Sequence, residues 1–167
     1  YLCVATLSFA GGVNRKNYTA EELDALAREA QQHVNDYRRQ NGLTALAWNS
    51  ELAAVARSHS ERMASGAVRF GHAGVDGRIA TLRNRVPYRG FAENVAMTWR
   101  SSEPVRDAAR LWWKSRGHRR NMVGDYDLAA IGARQARDGR IYWTQIFIRR
   151  APTLTTAARA AAPRERR

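Results

Sequence analysis

Cysteine is nearly absent: Cys3 is the single one in 167 residues. No intramolecular disulfide can therefore staple the chain, and the fold must hold by packing. Acidic residues are also few, with 15 Asp+Glu against 28 Lys+Arg, and the resulting formal charge of +13 is carried almost wholly by arginine. Long apolar runs are missing. The opening stretch 1–10 is too short to span a bilayer, so no transmembrane segment is expected in the mature chain. No internal repeat is visible, and a hydrophobic share of 44% excludes global disorder.

What is present suits one domain with its own core. Five Trp and six Tyr favour an aromatic-anchored interior. The arginine surplus favours polyanions such as anionic lipid or envelope components, although an arginine-rich soluble surface is the plainer reading. No basic stripe interleaves with aromatics as nucleic-acid readers require, so nucleic acid is not expected. The apolar residues 1–10 end in Ser8-Phe9-Ala10, a small-x-small pattern, and read as a signal-peptide remnant; a buried N-terminal strand is the rival reading. An extracytoplasmic location, periplasmic or extracellular, follows from the first of these.

Residues 11–18 read as a linker, 19–150 as the domain and 151–167 as a disordered Ala/Arg-rich tail. Thr19 and Glu22 form a capping box that opens a helix over about 20–40, closed by Asn41-Gly42. A second helix starts near Asn49 or Ser50, carries Leu52, Ala56, His59 and Met63 on one face, and stops at Gly66. Residues 67–92 are mixed. Pro104 opens a third helix through Trp112. Residues 128–148 read as a hairpin with a type I′ turn at Asp138-Gly139. Helices first and a hairpin last indicate an α+β fold with helices packed on a sheet.

The chemistry-bearing candidates are His72 between Gly71 and Ala73, Glu93 inside an apolar run, and His118 just past the third helix. A buried Glu93 needs a donor, a cation or a raised pKa. Spacing supports a metal site only weakly, since the two histidines are far apart in sequence and no short His-x-x-x-His pattern joins them. His33 and His59 lie inside helices, where a satisfied packing role is the default. Ser115 lies near His118, but no nucleophile elbow accompanies it. Any hydrolytic chemistry would rest on Glu93, His72 or His118 acting through water.

Taken together, these segments resemble the CAP superfamily (cysteine-rich secretory, antigen 5 and pathogenesis-related proteins), especially its bacterial SCP-like branch. The resemblance rests on His33–Arg38 with Asn41-Gly42-Leu43 and Leu46-Ala47-Trp48, on Leu52–Ala56 with His59-Ser60 and Met63, and on Gly71-His72. It rests further on Glu93-Asn94-Val95-Ala96, on Trp112–Met122, and on Tyr142–Phe147. It implies an α-β-α sandwich with a central antiparallel sheet flanked by helices. It also implies a cleft where eukaryotic members gather two His and two Glu, often around zinc. His72 and Glu93 match the first His and the first Glu. Ser115 stands at the second Glu position and Tyr142 at the second His. His118 belongs to the bacterial Ser-x-Gly-His motif. The expectation is a monomeric extracytoplasmic binding module whose cleft is walled by His72, Glu93, Ser115, His118 and Tyr142. Its candidate ligands for a divalent metal, zinc, are His72, Glu93 and His118. A metal-assisted hydrolase of peptide or cell-wall bonds is the alternative.

Overall fold

The computed structural model describes residues 2–8 and 16–152, with side chains for 16–152. The tail 153–167, most of the linker and the Phe9-Ala10 pair of the cleavage pattern lie outside the described residues. In chain order the elements are β1 (Leu2–Ser8), α1 (Ala20–Gln40), β2 (Ala47–Trp48), α2 (Ser50–Ala64), α3 (Val75–Arg83), β3 (Tyr88–Trp99), α4 (Pro104–Lys114), α5 (Arg116–Met122), β4 (Leu128–Gln135) and β5 (Ile141–Arg150).

α1 begins where its capping box says it should. Thr19 accepts from the Glu22 amide at 3.2 Å, and Glu22 accepts from the Thr19 amide at 2.8 Å. Two orphan donors are thereby satisfied. Asn49 caps α2 in the same way, accepting from the Leu52 amide at 3.1 Å. The end of the expected linker is tied down: Gln135 accepts from the Tyr18 amide at 2.9 Å and donates to the Lys16 carbonyl at 3.0 Å.

The sheet runs β1-β3-β5-β4-β2. Its centre, β3-β5-β4, is antiparallel, while β1 on β3 and β2 on β4 pair in parallel. Residues alternate between faces along each strand, and the sequence uses both. Ala92 and Ala96 of β3, Ile131 of β4, and Trp143 and Phe147 of β5 join a core with α1 and α4 that includes Val34 and Trp112. Ala130 of β4 and Ile146 and Ile148 of β5 join a second core with Leu52, Ala56 and Leu82 of α2 and α3. Helices thus cover both faces of one sheet, the α-β-α sandwich expected. α2 lies so close to β4 that a Cβ on Gly132 would collide with the Arg57 amide nitrogen.

Three details differ from expectation. α3 and α5 are short helices that the sequence conceals: Val75–Arg83 contains Gly77, and Arg116–Met122 contains Gly117 with three arginines. Tertiary burial of Leu82 and Met122 holds them, where propensity alone would not. The β4–β5 connection is not type I′. Gly139 has φ 86° but Asp138 is not left-handed, and Ala136 accepts from the Gly139 amide at 2.9 Å. This is a type I turn closed by a left-handed glycine, with Asp138 accepting from the Arg140 amide at 3.0 Å. Finally, residues 2–8, expected within a signal remnant, lie in register beside β3, Leu2 opposite Glu93.

Candidate functional site

Glu93 lies mid-strand on β3 and is completely buried. Two cationic or protic neighbours claim its carboxylate. Arg78, from α3, donates Nε to Oε2 and Nη2 to Oε1, both at 2.7 Å. His72, from the loop before α3, donates Nδ1 to Oε1 at 2.8 Å. Burial pushes the Glu93 carboxyl up, but the hydrogen bonds from His72 and Arg78 and the Arg78 charge outweigh it and hold the group below the usual carboxylate range. The fork is the strong, bidentate kind of charge-assisted pairing.

Behind this pair sits His59 of α2, also buried. Its Nε2 donates to the Gly71 carbonyl at 2.8 Å, and its Nδ1 accepts from Arg78 Nη1 at 3.1 Å. That pattern fits the neutral ring. Burial, then the adjacent Arg78 charge, push its pKa down, with the Gly71 hydrogen bond opposing. Arg78 Nη1 also donates to the Ala73 carbonyl at 2.8 Å. One guanidinium therefore joins α2, the 71–73 loop and β3. The default packing role expected for His59 holds, but the residue also braces Arg78. His33, by contrast, is part-exposed beside Glu29.

The other expected cleft residues divide between the two sides of the sheet. Tyr142 of β5 lies on the Glu93 side, its ring 5.9 Å from that of Phe70 in the loop leading to His72. His118 does not join them. Asn94, next after Glu93 and so facing the other way, donates to the His118 carbonyl at 3.3 Å and to Gln145 at 3.1 Å, and accepts from Asn121 at 2.8 Å. The α5 backbone carrying His118 thus packs on the opposite face of β3. Ser115 marks the junction of α4 and α5, where its side chain makes no cap hydrogen bond.

The ligand set His72, Glu93 and His118 therefore does not converge. Among the described residues, no three His, Cys, Asp or Glu side chains are placed to hold a metal ion. Glu93 already spends both oxygens on Arg78 and His72. Among the described residues, this set does not fit zinc as expected from the sequence. His72 Nε2 is buried and has no hydrogen-bond partner among the described residues.

Arg78 is the site residue that the sequence reading missed. The demand for a cation beside Glu93 was legible, since an unpaired carboxylate cannot sit in an apolar strand. Which of the many arginines answers that demand was not, because α3 itself was hidden.

Known proteins share the sequence pattern and the fold. The sequence profile of the cysteine-rich secretory protein family, CAP, matches residues 31–147. A Bacillus subtilis protein described as the uncharacterized membrane protein YlbC is 31% identical over 70% of this chain, which spans 32% of that relative. Among solved structures, a cysteine-rich secretory protein of Staphylococcus aureus superposes with a TM-score of 0.60 at 26% identity, covering 81% of this chain and 42% of that one. A Bacillus anthracis extracellular protein containing an SCP domain gives 0.61 at 25% identity, covering 81% and 45%. An outer surface protein of Borrelia burgdorferi shares the fold at 15% identity, with a TM-score of 0.63 and 76% and 94% covered. No helix among the described residues is long and apolar enough to cross a membrane. With its sandwich, its Glu93-Asn94 strand and a matching profile over most of its length, the chain belongs to the cysteine-rich secretory protein (CAP) family.

Proposed function

We propose that the protein is an extracytoplasmic binding module that associates with anionic envelope material, and that its His72–Glu93 centre is a scaffold for the binding face rather than a hydrolytic machine. The observation that carries this reading is the complete burial of Glu93 with three hydrogen bonds from Arg78 and His72. A general base must present a lone pair to water, and the acceptor position left on Glu93 Oε2 is buried away from solvent. The metal-assisted hydrolase alternative would need Glu93 open to water as its base and His72 and His118 as ligands on one side of the sheet, whereas the α5 backbone at His118 packs on the face of β3 opposite Glu93. The solved structures described as a secretory and an extracellular protein support the location. The formal charge of +13 supports the choice of partner.

The test is sedimentation with vesicles of phosphatidylglycerol and phosphatidylcholine against phosphatidylcholine alone. The expected result is binding to the anionic vesicles only, lost when salt shortens the screening length to about 3 Å near 1 M. Equal binding to both compositions, or to neither, overturns the reading.

A further inference from the structure

A cavity of about 500 Å³ opens between α2 and α3. Its size is that of a small-molecule site rather than a crevice for a lone ion. Arg62, Arg78 and Arg85 line it together with His59, Ser58 and Thr81. Two of the guanidiniums converge. The point where a Cβ of Gly74 would stand lies 3.7 Å from Arg78 Nη1 and 3.8 Å from Arg62 Nη1.

Like charges meeting at one spot repel unless something negative lies between them. Arg78 is answered by Glu93, and Arg85 by Glu51 at 2.8 Å. Arg62 meets no carboxylate among the described residues. Glycine faces Arg62 at the start of α3. Gly74 sits at φ 74° and Gly77 has nothing within 4 Å of where a Cβ would be, so the first turn of α3 adds no side chain of these two positions to the groove, while Arg78 and Thr81 line it further along. Gly74 also starts α3 without any side-chain cap; the Val75 amide donates to the His72 carbonyl at 3.1 Å, and the Asp76 and Gly77 amides have no side-chain cap. Asp76, in that first turn, is exposed and does not line the cavity.

We propose that the α2–α3 groove binds a phosphate-ester group, held by Arg62 above Gly74 with the Arg78 guanidinium behind it and the Ser58 and Thr81 hydroxyls at its rim. The planar Arg62 guanidinium suits phosphate oxygens geometrically as well as by charge, whereas Arg78, whose N–H groups are taken by Glu93, His59 and the His72 and Ala73 carbonyls, adds its charge alone; the remaining volume takes the alcohol to which the phosphate is attached. The proposal rests on the binding reading above and deepens it by giving it a defined seat. The same chemistry is offered by a lipid headgroup and by a free phosphomonoester.

The experiment uses the full chain and amide-resolved NMR. Inorganic phosphate, then glycerol phosphate, are titrated against the wild type, Arg62→Ala and Arg137→Ala, with vesicles containing phosphatidic acid as a parallel arm. Arg137 is exposed in the β4–β5 turn, so its loss removes the same charge away from the groove. The expected result is saturable shifts at the Gly74 and Gly77 amides, weakened about tenfold or more in Arg62→Ala and unchanged in Arg137→Ala. Glycerol phosphate binding more tightly than phosphate, with no added gain on vesicles, identifies a soluble ester; a gain on vesicles confined to wild type and Arg137→Ala identifies a headgroup. No shift at either glycine, or equal weakening in both variants, overturns the site. Vesicle association that is equally salt-sensitive in all three proteins, without glycine shifts, leaves the general envelope reading standing and removes this one. Glycine shifts without any vesicle association do the reverse.

Discussion

Glu93 is a carboxylate with no exposed surface, and its neighbours decide what it costs the fold. The Arg78 side chain is itself only 9% exposed, so the pair is desolvated on both sides. Breaking such a pair leaves one charge buried and uncompensated. Arg78→Ala is therefore expected to lose about 3–5 kcal/mol in urea unfolding, and Glu93→Gln to lose a comparable share by stranding Arg78. A loss under about 1 kcal/mol in both would mean that the fork is dispensable. The same residues fix the acid response. The Glu93 pKa is lowered on folding, so its contribution is present above the ordinary glutamate value near 4.3 and fades as pH falls through the lower folded value. The His59 pKa is also lowered, so the folded state resists protonating it. Stability should begin to fall as pH drops through the ordinary histidine value near 6.5, and fall again in the carboxylate range. Denaturant midpoints from about pH 8 to about pH 3 check the sign: a flat profile between roughly pH 7 and 5, unaltered by His59→Gln, would contradict the assignment to His59.

At the scale of elements, the close approach of α2 to β4 sets a steric limit at one residue. The α2 backbone rests on Gly132, whose carbonyl accepts from Ser60 Oγ at 2.9 Å while Ser60 also meets Thr144 at 2.9 Å. A methyl at 132 has no rotamer to escape into, because the atoms it strikes are backbone. Gly132→Ala should cost about 3 kcal/mol, at the upper end of overpacking penalties, and thermal unfolding against Gly139→Ala, in an open turn, separates packing from backbone preference. The elements that carried clear signals were those whose own residues announce them. Thr19 and Glu22 mark the start of α1, Asn49 and Gly66 bracket α2, Pro104 opens α4, and the apolar runs on either side of Asp138-Gly139 form the hairpin. The hidden ones, α3 and α5, carry glycine and charge, and are helical because a neighbour buries Leu82, Arg78, His118 or Met122. The candidate site inherited that blindness. His72 and Glu93 came out together because the resemblance pairs their motifs, whereas Arg78 belongs to an element that only the packed structure shows. The face of β3 on which His118 lies was not legible, because spacing along the chain carries no record of which face a helix covers.

For the molecule as a whole, the sheet is a partition, and its register decides which chemistry can be shared. Glu93 and Asn94 are consecutive, so one faces α2 and α3 while the other faces α5. The polar groups attached to Glu93 come from the first side, namely His72, Arg78 and, through it, His59. Those attached to Asn94 come from the second side or from the neighbouring strand: the His118 carbonyl, Asn121 and Gln145. β1 and β5 flank β3, so the barrier extends past a single strand. A zinc site needs about four donors within roughly 2.0–2.3 Å of one point, and a three-layer sandwich cannot bring His72 and His118 to one point without losing β3. Calorimetric titration of zinc should accordingly find no stoichiometric site that both His72→Ala and His118→Ala abolish. Weak binding lost only in His72→Ala would match its unpartnered Nε2, already oriented by a carboxylate through the other ring nitrogen as in many metal sites. One tight site lost in both variants would require the sheet to be arranged differently from this, and would restore the metal-dependent chemistry that the present register separates.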